Sequence, residues 1–383
     1  MKILIADWNS FGREDIKEAI KACGHSLAVF SFDKNSDRSD PKVAEQVRKE
    51  IRKHTPDRVF SFNYFPQIAV ACKEESVQYI SWIYDSPYVQ VYSYTIAFPT
   101  NTIYLFDREW VFDFNKNRIE NVFYLPMAAN PERLGKLINH AGISGKYDSD
   151  VCFIGSLYRG SHDFWSRMEP GLDDYTRGYL EALIRAQMDI YGVNFIEESL
   201  NERVISGMKA ALPMDTFPDG VESIEYLYGQ YVIDREITSR ERISLLSAVA
   251  KKLPLTVYTG SDTAIPGAKM KKPIDHYTES PVAMNRAKIN LNITLRSIRS
   301  GMPLRVFEIM GSGGFLMTNF QGDFGEFFTP GEDFEYFEDR EDLVERCSYY
   351  LEHEDERREI AESALKKIKA RHTFEHRVRE MFS

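Results

Sequence analysis

An arginine and a glutamate lie about one helical turn apart in the stretch PLRVFEIMGSGGFLMTN, residues 303–319. Pro303 suits the first position of a helix, so a helix is predicted to start at about residue 303. Its first amides would point back towards Gly301, where no side chain blocks an anion, and the Arg305 guanidinium would converge there. This arrangement predicts a diphosphate site. The alternative is an i,i+3 surface ion pair between Arg305 and Glu308, worth only about a few tenths of a kcal/mol.

Two more arginines, Arg296 and Arg299, precede this helix, and we expect them to surround the loop Ser300-Gly301-Met302-Pro303 together with Arg305. Most other positions of the helix are apolar, which leaves little of its face for solvent. Charged side chains in such a helix need partners. We therefore prefer the anion-binding interpretation to the surface ion pair.

Two aspartates end predicted strands in the first part of the chain and could act as proton acceptors. Asp7 follows the apolar run KILIA, and Asp85 follows QYISWI. A carboxylate just beyond a strand end lies where α/β folds place reactive groups, and it could deprotonate a hydroxyl there. Alternatively, Asp7 caps a loop, and Asp85 caps the turn at Pro87. Aromatic side chains, which favour sugar rings, surround Asp85: Trp82, Tyr84 and Tyr88.

Glycine positions after the strands give weaker signals. Gly155 and Ser156 end the strand DVCFI, where a small residue would let a phosphate or sugar approach backbone amides. An ordinary turn explains this glycine equally well. The first strand–helix loop, ADWNSFG, has a single glycine, so the GxGxxG fingerprint is absent and NAD use is disfavoured.

The elements that must position these residues alternate between strand and helix, which is typical of parallel sheets covered on both faces. We expect one doubly wound domain over residues 1–145 and a second over 146–369. A helical section at about 160–250 interrupts the second domain, and a C-terminal helix within 370–383 joins the first domain. Two such units in series predict a ligand between them, at the carboxyl ends of their strands.

Composition excludes several classes of protein. The 383-residue chain carries a net charge of −10, which argues against nucleic-acid partners. We expect no signal peptide and no transmembrane segment. The four cysteines are scattered and predict free thiols in a reducing cytoplasm. No metal-ligand spacing is evident among the histidines, and Thr373 is expected to cap a helix that starts just after it.

Several segments resemble CgeB-like (spore-maturation type) glycosyltransferases, which are group-1 enzymes of GT-B fold. The C-terminal resemblance extends over KINLNITLRSIRSGMPLRVFEIMGSGGFLMTNFQGDFGEFFTPGEDFEYFEDREDLVERCSYYL and HTFEHRVREMF. The front half is similar in DWNSFGREDI, DRVFSFNYFPQIAVACKE, YISWIYDSP and YLPMAANPE, and DVCFIGSLY resembles the strand that opens the donor domain. The resemblance covers nearly the whole chain except residues 160–250.

The resemblance implies two Rossmann-like domains facing a cleft. It implies transfer of a hexosyl group from a nucleotide-diphospho-sugar, with UDP as the expected nucleotide, to a hydroxyl of a protein or glycan. Neither a metal nor another cofactor is expected. Glu308 would bind the ribose hydroxyls, Arg305 would also stabilise the leaving group, and Asp85, or else Asp7, would be the general base. The implied donor-binding residues are Gly155, Ser156, Tyr258, Lys272, Ser300, Gly301, Met302, Pro303, Arg305 and Glu308.

One position departs from the family pattern. Retaining group-1 enzymes often have two glutamates in an E-x7-E pattern that ends at the residue matching Glu308, and here the first position is Ser300. The usual contact to the donor sugar is therefore missing, and the stereochemical outcome does not carry over. Two alternatives stay open: a nucleotide-sugar 2-epimerase, which shares the fold, and a GT-B binding module without turnover.

Overall fold

The structure, a computed structural model, describes residues 1–34, 38, 40–142, 147–160 and 163–383. These residues form two compact units. The first consists of Met1–Ala128, Thr216–Glu222 and His372–Ser383, and the second of Ala129–Asp215 and Ser223–Arg371.

The first unit alternates strands and helices, as the sequence predicts. In chain order its elements are β1 (Lys2–Asp7), α1 (Arg13–Ala22), β2 (Ser26–Ser31), α2 (Pro41–His54), β3 (Arg58–Phe62), α3 (Pro66–Glu74), β4 (Gln78–Ile83), β5 (Asn101–Leu105), α4 (Arg108–Lys116) and β6 (Val122–Tyr124). The strands pair in parallel in the order β2-β1-β3-β4-β5-β6. Because β1, β3 and β4 are neighbours, the residues that follow them share one edge of the sheet.

The second unit also contains one parallel sheet. Its elements are α5 (Pro131–His140), β7 (Ser149–Ile154), α6 (Phe164–Met168), α7 (Asp174–Met188), α8 (Ile196–Ser199), α9 (Glu202–Ala211), α10 (Ile224–Tyr228), α11 (Asp234–Ala250), β8 (Leu255–Tyr258), β9 (Lys269–Lys271), α12 (Ser280–Asn285), β10 (Ala287–Asn292), α13 (Leu304–Gly311), β11 (Leu316–Asn319), α14 (Phe324–Phe327), β12 (Glu335–Phe337), α15 (Arg340–Glu352) and α16 (Glu354–Arg371). The sheet order is β12-β11-β10-β7-β8-β9, so β10 lies at its centre between β11 and β7.

The helices α6 to α11 match the predicted helical section and have a hydrophobic core of their own, which includes Trp165, Leu180 and Ile237. Within this section, Thr216–Glu222 belongs to the first unit. The Val221 N–H donates to the Tyr92 carbonyl over 2.7 Å.

The chain ends in α17 (Phe374–Met381), which packs on α1 in the first unit. The side chain of Thr373 accepts the backbone N–H of His376, which confirms the predicted cap. Arg377 is buried and donates to the carbonyls of Pro126 and Met127 and to His372 Nδ1. Burial lowers the pKa of Arg377 to about 10.

The turn from α13 into β11 explains the paired glycines. Gly313 has a φ of +72°, and the amides of Gly313 and Gly314 donate to the carbonyls of Met310 and Ile309. This is a Schellman ending, in which a left-handed residue closes the helix. A Cβ on Gly314 would lie 2.7 Å from Asn290 Nδ2, so only glycine lets the turn approach β10 this closely.

Candidate functional site

The loop between β10 and α13 is the centre of the predicted donor site in the second unit. Pro303 has an extended ψ of 159°, so α13 starts at Leu304 and Pro303 is its N-cap. The helix therefore starts one residue later than the sequence predicts, because the fixed φ of proline suits both positions. Gly301 and Met302 are buried, and the first amides of an eight-residue helix follow them.

Glu308 on α13 lies among two arginines and a histidine. Its Oε2 is 3.0 Å from Arg305 Nη1, and its Oε1 is 2.9 Å from His276 Nε2. Burial acts to raise the pKa of Glu308, but Arg305, His276 and Arg133 together outweigh burial and hold that pKa below its usual range. Glu308 is therefore an ionised carboxylate, 14 % exposed, with lone pairs that could accept ribose hydroxyls.

Arg133 closes this cluster from α5. Its Nη1 donates to the Tyr277 carbonyl over 3.0 Å, and its guanidinium lies 5.2 Å from the centre of the Tyr277 ring. The segment that carries His276 and Tyr277 is thereby fixed to α5. The sequence gives no sign of this contact, because Arg133 and Tyr277 are 144 positions apart.

Arg305 forms the ion pair that was the alternative interpretation of its spacing from Glu308. Its side chain is 26 % exposed, and a guanidinium carries five N–H donors, so the pair does not use its whole capacity. The diphosphate role of Arg305 stays a prediction.

The expectation for Arg296 is wrong. Its guanidinium pairs with Glu241 and donates to the Ile190 carbonyl over 2.8 Å. The Tyr191 ring lies 3.9 Å from it. Arg296 is therefore directed to Glu241 and the α7–α8 loop, and not to the loop before α13.

The glycine after β7 is explained by its own sheet. The Gly155 N–H donates to the Tyr258 carbonyl over 3.1 Å, so this amide is used within the sheet. The donor-binding role of Gly155 and Ser156 stays a prediction. A Cβ at this position would lie 3.0 Å from the Phe153 ring, so a larger residue would require that ring to shift. Ser156 is exposed, and its Oγ accepts the Tyr158 N–H.

Arg242 is a candidate that the sequence reading missed. From α11 its guanidinium donates to the carbonyls of Ser156, after β7, and Ile293, after β10. Burial lowers the pKa of Arg242, and the positive charge of Arg305 acts in the same direction. A second buried cation therefore lies at the carboxyl ends of the two central strands. The sequence did contain a signal for this residue, because the helical spacing places Arg242 on the same apolar face of α11 as Leu246 and Val249.

Tyr258 and Lys272 are not brought together. The Tyr258 hydroxyl accepts a hydrogen bond from Lys271 Nζ over 2.9 Å, whereas Lys272 is exposed. Successive residues of a strand point to opposite faces, so Lys271 is the lysine that contacts this tyrosine. The nucleotide-base role of Lys272 stays untested.

In the first unit, Asp85 is oriented by Asn63 at the end of β3. Asn63 Nδ2 donates to Asp85 Oδ2 over 2.7 Å, and Asn63 Oδ1 accepts the Tyr84 N–H over 3.1 Å. Asn63 has a φ of +57°, a conformation that asparagine tolerates better than most residues. This amide was not singled out from the sequence, although it ends a predicted strand.

Asp7 lies at the same edge of that sheet but has the character of a loop cap. Its Oδ1 accepts the Asn9 N–H over 2.9 Å, and its Oδ2 accepts from Lys17 Nζ over 2.8 Å. Asp7 is only 9 % exposed. These contacts favour Asp85 over Asp7 as the proton acceptor.

No described helix is long and apolar enough to cross a membrane. Within the described ranges, no group of three or more His, Cys, Asp or Glu side chains is placed to hold a metal ion. All four cysteines are free, and Cys72, Cys152 and Cys347 are buried.

Comparisons with known proteins agree on the type of fold. Sucrose-phosphate synthase from Thermosynechococcus elongatus superposes with a TM-score of 0.55 at 10 % identity, covering 100 % of this chain and 97 % of that one. Anabaena Alr3699/HepE in complex with UDP and glucose gives 0.52 at 12 % identity, covering 100 % and 99 %. WaaG, a glycosyltransferase involved in lipopolysaccharide biosynthesis, gives 0.51 at 12 % identity, covering 100 % and 98 %.

By sequence, no curated protein matches the chain. The family described as Glycosyl transferase-like matches residues 240–383, which include α13 with Arg305 and Glu308, and also His276. The chain thus has the α/β fold of GT-B enzymes, and residues 240–383, less than half of it, are similar to the Glycosyl transferase-like family.

Proposed function

We propose that this enzyme transfers a hexosyl group from a nucleotide-diphospho-sugar, with UDP as the nucleotide, to a hydroxyl of a protein or glycan. The observation that carries the proposal is the Glu308 cluster. The ionised carboxylate of Glu308 lies near Arg305, His276 and Arg133, and all of these except Arg133 belong to the segment that matches the Glycosyl transferase-like family. Such a carboxylate suits ribose hydroxyls, and the surrounding cations suit a diphosphate.

The leaving diphosphate would be stabilised without a metal ion. The first amides of α13, the Arg305 guanidinium and the buried Arg242 all supply positive potential at the carboxyl ends of β7 and β10. Fixed donors of this kind act where negative charge develops as the bond to the sugar breaks. In this proposal they take the role that a divalent cation has in other sugar transferases.

The acceptor hydroxyl would lose its proton to Asp85. Asn63 holds this carboxylate at the end of β4, and the nearby Tyr84 ring stacks on Trp8 with 6.0 Å between ring centres. A positioned carboxylate and an aromatic surface suit a hydroxyl-bearing acceptor. Membership of the CgeB-like subgroup and a cytoplasmic location complete the proposal, and the free cysteines support the latter.

Nucleotide binding to the full chain tests the donor assignment. We expect UDP and one UDP-sugar to raise the melting temperature, because a ligand that binds only the folded state stabilises it. Glu308→Gln should weaken UDP binding about 10- to 100-fold in calorimetry, since hydrogen bonds to a charged acceptor are lost. The matched control is Glu341→Gln, which alters a glutamate that is 67 % exposed and should bind UDP as the wild type does.

Turnover distinguishes the activities. Release of UDP that depends on an added acceptor supports transfer, whereas epimerisation of UDP-N-acetylglucosamine alone would identify the 2-epimerase. If no nucleotide or nucleotide-sugar shifts the melting temperature, the donor assignment is wrong.

A further inference from the structure

A short segment of the helical section, Thr216–Glu222, belongs to the first unit, although the residues on either side of it belong to the second. We call this segment the strap. It lies beside the connection between β4 and β5, residues 84–100, and pairs with it through an antiparallel bridge between Ser93 and Gly220. Because this connection also carries Asp85, the strap is in contact with the segment that holds the proposed base.

Asp219 is the centre of the contact. Its backbone carbonyl accepts the Tyr94 N–H over 3.1 Å, and its Oδ2 accepts from the Ser93 hydroxyl over 3.0 Å. Its Oδ1 accepts from Arg38 Nε over 2.8 Å. Arg38 in turn donates from Nη1 to the Val89 carbonyl over 3.4 Å. One aspartate of the strap therefore holds the β4–β5 connection both directly and through Arg38.

Arg38 is a buried cation that the strap neutralises. Its side chain and that of Glu222 are both 0 % exposed, and Glu222 Oε2 lies 3.6 Å from Arg38 Nη2. The guanidinium also lies 3.9 Å from the centre of the Phe217 ring. Among the described residues, these two side-chain atoms of Arg38 and Glu222 have no hydrogen-bond partner. An apolar segment of similar volume would avoid this cost, so stability alone does not explain the buried charges.

Gly220 leaves the space that the Glu222 carboxylate occupies. A Cβ at residue 220 would overlap this group, and its three nearest atoms all belong to the Glu222 carboxyl. Glu222 Oε1 accepts the Phe217 N–H over 2.6 Å, and the Gly220 N–H donates to the Phe217 carbonyl over 2.9 Å. These bonds fold the strap on itself, so a glycine at 220 lets the buried carboxylate face Arg38.

We propose that the strap is a positioning element for the β4–β5 connection and, through it, for Asp85. Asn63 holds Asp85 at the end of β4, and the strap holds the same connection further along, at Val89 and Ser93. A buried charge pair suits this role, because displacing either partner leaves an uncompensated charge and the segment has a single favourable position. The part of the proposal that concerns Asp85 rests on the proposed function, whereas the coupling of the strap to the connection does not.

Hydrogen–deuterium exchange of the full chain tests the coupling. Gly220→Ala should displace the buried carboxylate of the strap, and peptides that cover the strap and residues 88–97 should then exchange about tenfold faster, with β1 and β3 unchanged. Asp219→Asn keeps the size of the side chain, removes its charge and should act in the same direction. It serves as the second variant where the first does not fold. The matched control is Gly178→Ala in α7, where a Cβ meets nothing within 4 Å.

A double-mutant cycle shows whether Gly220→Ala acts through the carboxylate. In the Glu222→Ala background, the atoms that the new Cβ would overlap are absent. Gly220→Ala should therefore cause no further rise in exchange in that background, whereas independent effects of the two substitutions would add.

Turnover shows whether the strap acts on Asp85. UDP release from UDP-glucose, with methyl glucoside as the acceptor probe, should fall about tenfold in Gly220→Ala, because a misplaced base is less effective. UDP affinity in calorimetry should stay unchanged. In the Asp85→Asn background, Gly220→Ala should lower turnover no further, whereas a general loss of structure would lower turnover in both backgrounds.

The proposal is overturned if residues 88–97 exchange as in the wild type in both strap variants, or if exchange rises throughout the first unit. A further fall of turnover in the Asp85→Asn background would overturn the role of the strap towards Asp85. If residues 88–97 exchange faster but the wild type binds no UDP and turns over no UDP-sugar, the proposed function is refuted and the coupling of the strap to this connection is supported.

Discussion

Asp234, at the start of α11, is a carboxylic acid buried where water does not reach it. It is 0 % exposed, and Asn194 Nδ2 is the donor to its Oδ2, while Oδ1 has no hydrogen-bond partner among the described residues. Burial raises its pKa from 3.8 to about 8. Glu197 and Glu241 add to the rise, and Asn194 and Arg296 oppose it. Asp234 is therefore largely protonated in the native state at neutral pH.

Asp234→Asn removes this ionisation with almost no change in shape, and the new amide oxygen can still accept from Asn194. In the wild type, the unfolded chain releases the proton near pH 4, whereas the native state keeps it until about pH 8. The contribution of Asp234 to the free energy of unfolding is therefore fully present below the pKa of the unfolded chain. It is lost as the pH rises towards the pKa of Asp234 in the native state. Each pH unit between these values costs about 1.4 kcal/mol, so the loss from pH 5 to pH 7 is about 3 kcal/mol.

Urea unfolding at pH 5, 6 and 7 measures this effect, with Trp165 as the fluorescent reporter in the second unit. The variant should gain stability relative to wild type by about 1.4 kcal/mol for each pH unit. Asp262→Asn, at an exposed aspartate of the same unit, should follow the wild type at every pH. If the wild-type and Asp234→Asn stabilities run parallel from pH 5 to pH 7, Asp234 is ionised in the native state and the reasoning is refuted.

Two further predictions concern the catalytic step and the fold. Asp85→Asn should lower kcat about 100-fold or more, because no proton acceptor remains at this position. Donor affinity in calorimetry should stay unchanged, since Asn63 can still form a hydrogen bond with the new side chain. An unchanged kcat would exclude Asp85 as the base. Gly314→Ala should lower the free energy of unfolding by about 1–3 kcal/mol, because its Cβ would lie 2.7 Å from Asn290 Nδ2. If the variant unfolds at the same urea concentration as the wild type, this close approach is contradicted.

The fold could be predicted from local patterns. Alternating apolar runs and amphipathic stretches indicated parallel sheets, and Thr373 indicated the start of α17, because these signals depend on residues close in sequence. The same locality explains the one-residue error at Pro303. A proline fixes φ but not ψ, and ψ decides whether a residue is the N-cap or the first residue of a helix.

The site could be predicted only where its residues are close together in the sequence, as in the loop that leads to Arg305 and Glu308. The Arg296 side chain is directed to Glu241, which is 55 positions away in the sequence. Long-range packing, which a single sequence does not display, selects among the partners that a side chain could have.

The ion pair between Arg305 and Glu308 and a ligand site at the same residues are compatible interpretations. An exposed i,i+3 pair contributes only about a few tenths of a kcal/mol, so it would not by itself require these residue types. Here the pair is joined by His276 and Arg133, so several cationic groups surround one carboxylate. The cations near Glu308 lower its pKa, so an ionised carboxylate and two guanidinium groups share this part of the second unit. Glu308 holds the Arg305 guanidinium in place, and the N–H donors of that guanidinium that the pair does not use would be available to a diphosphate.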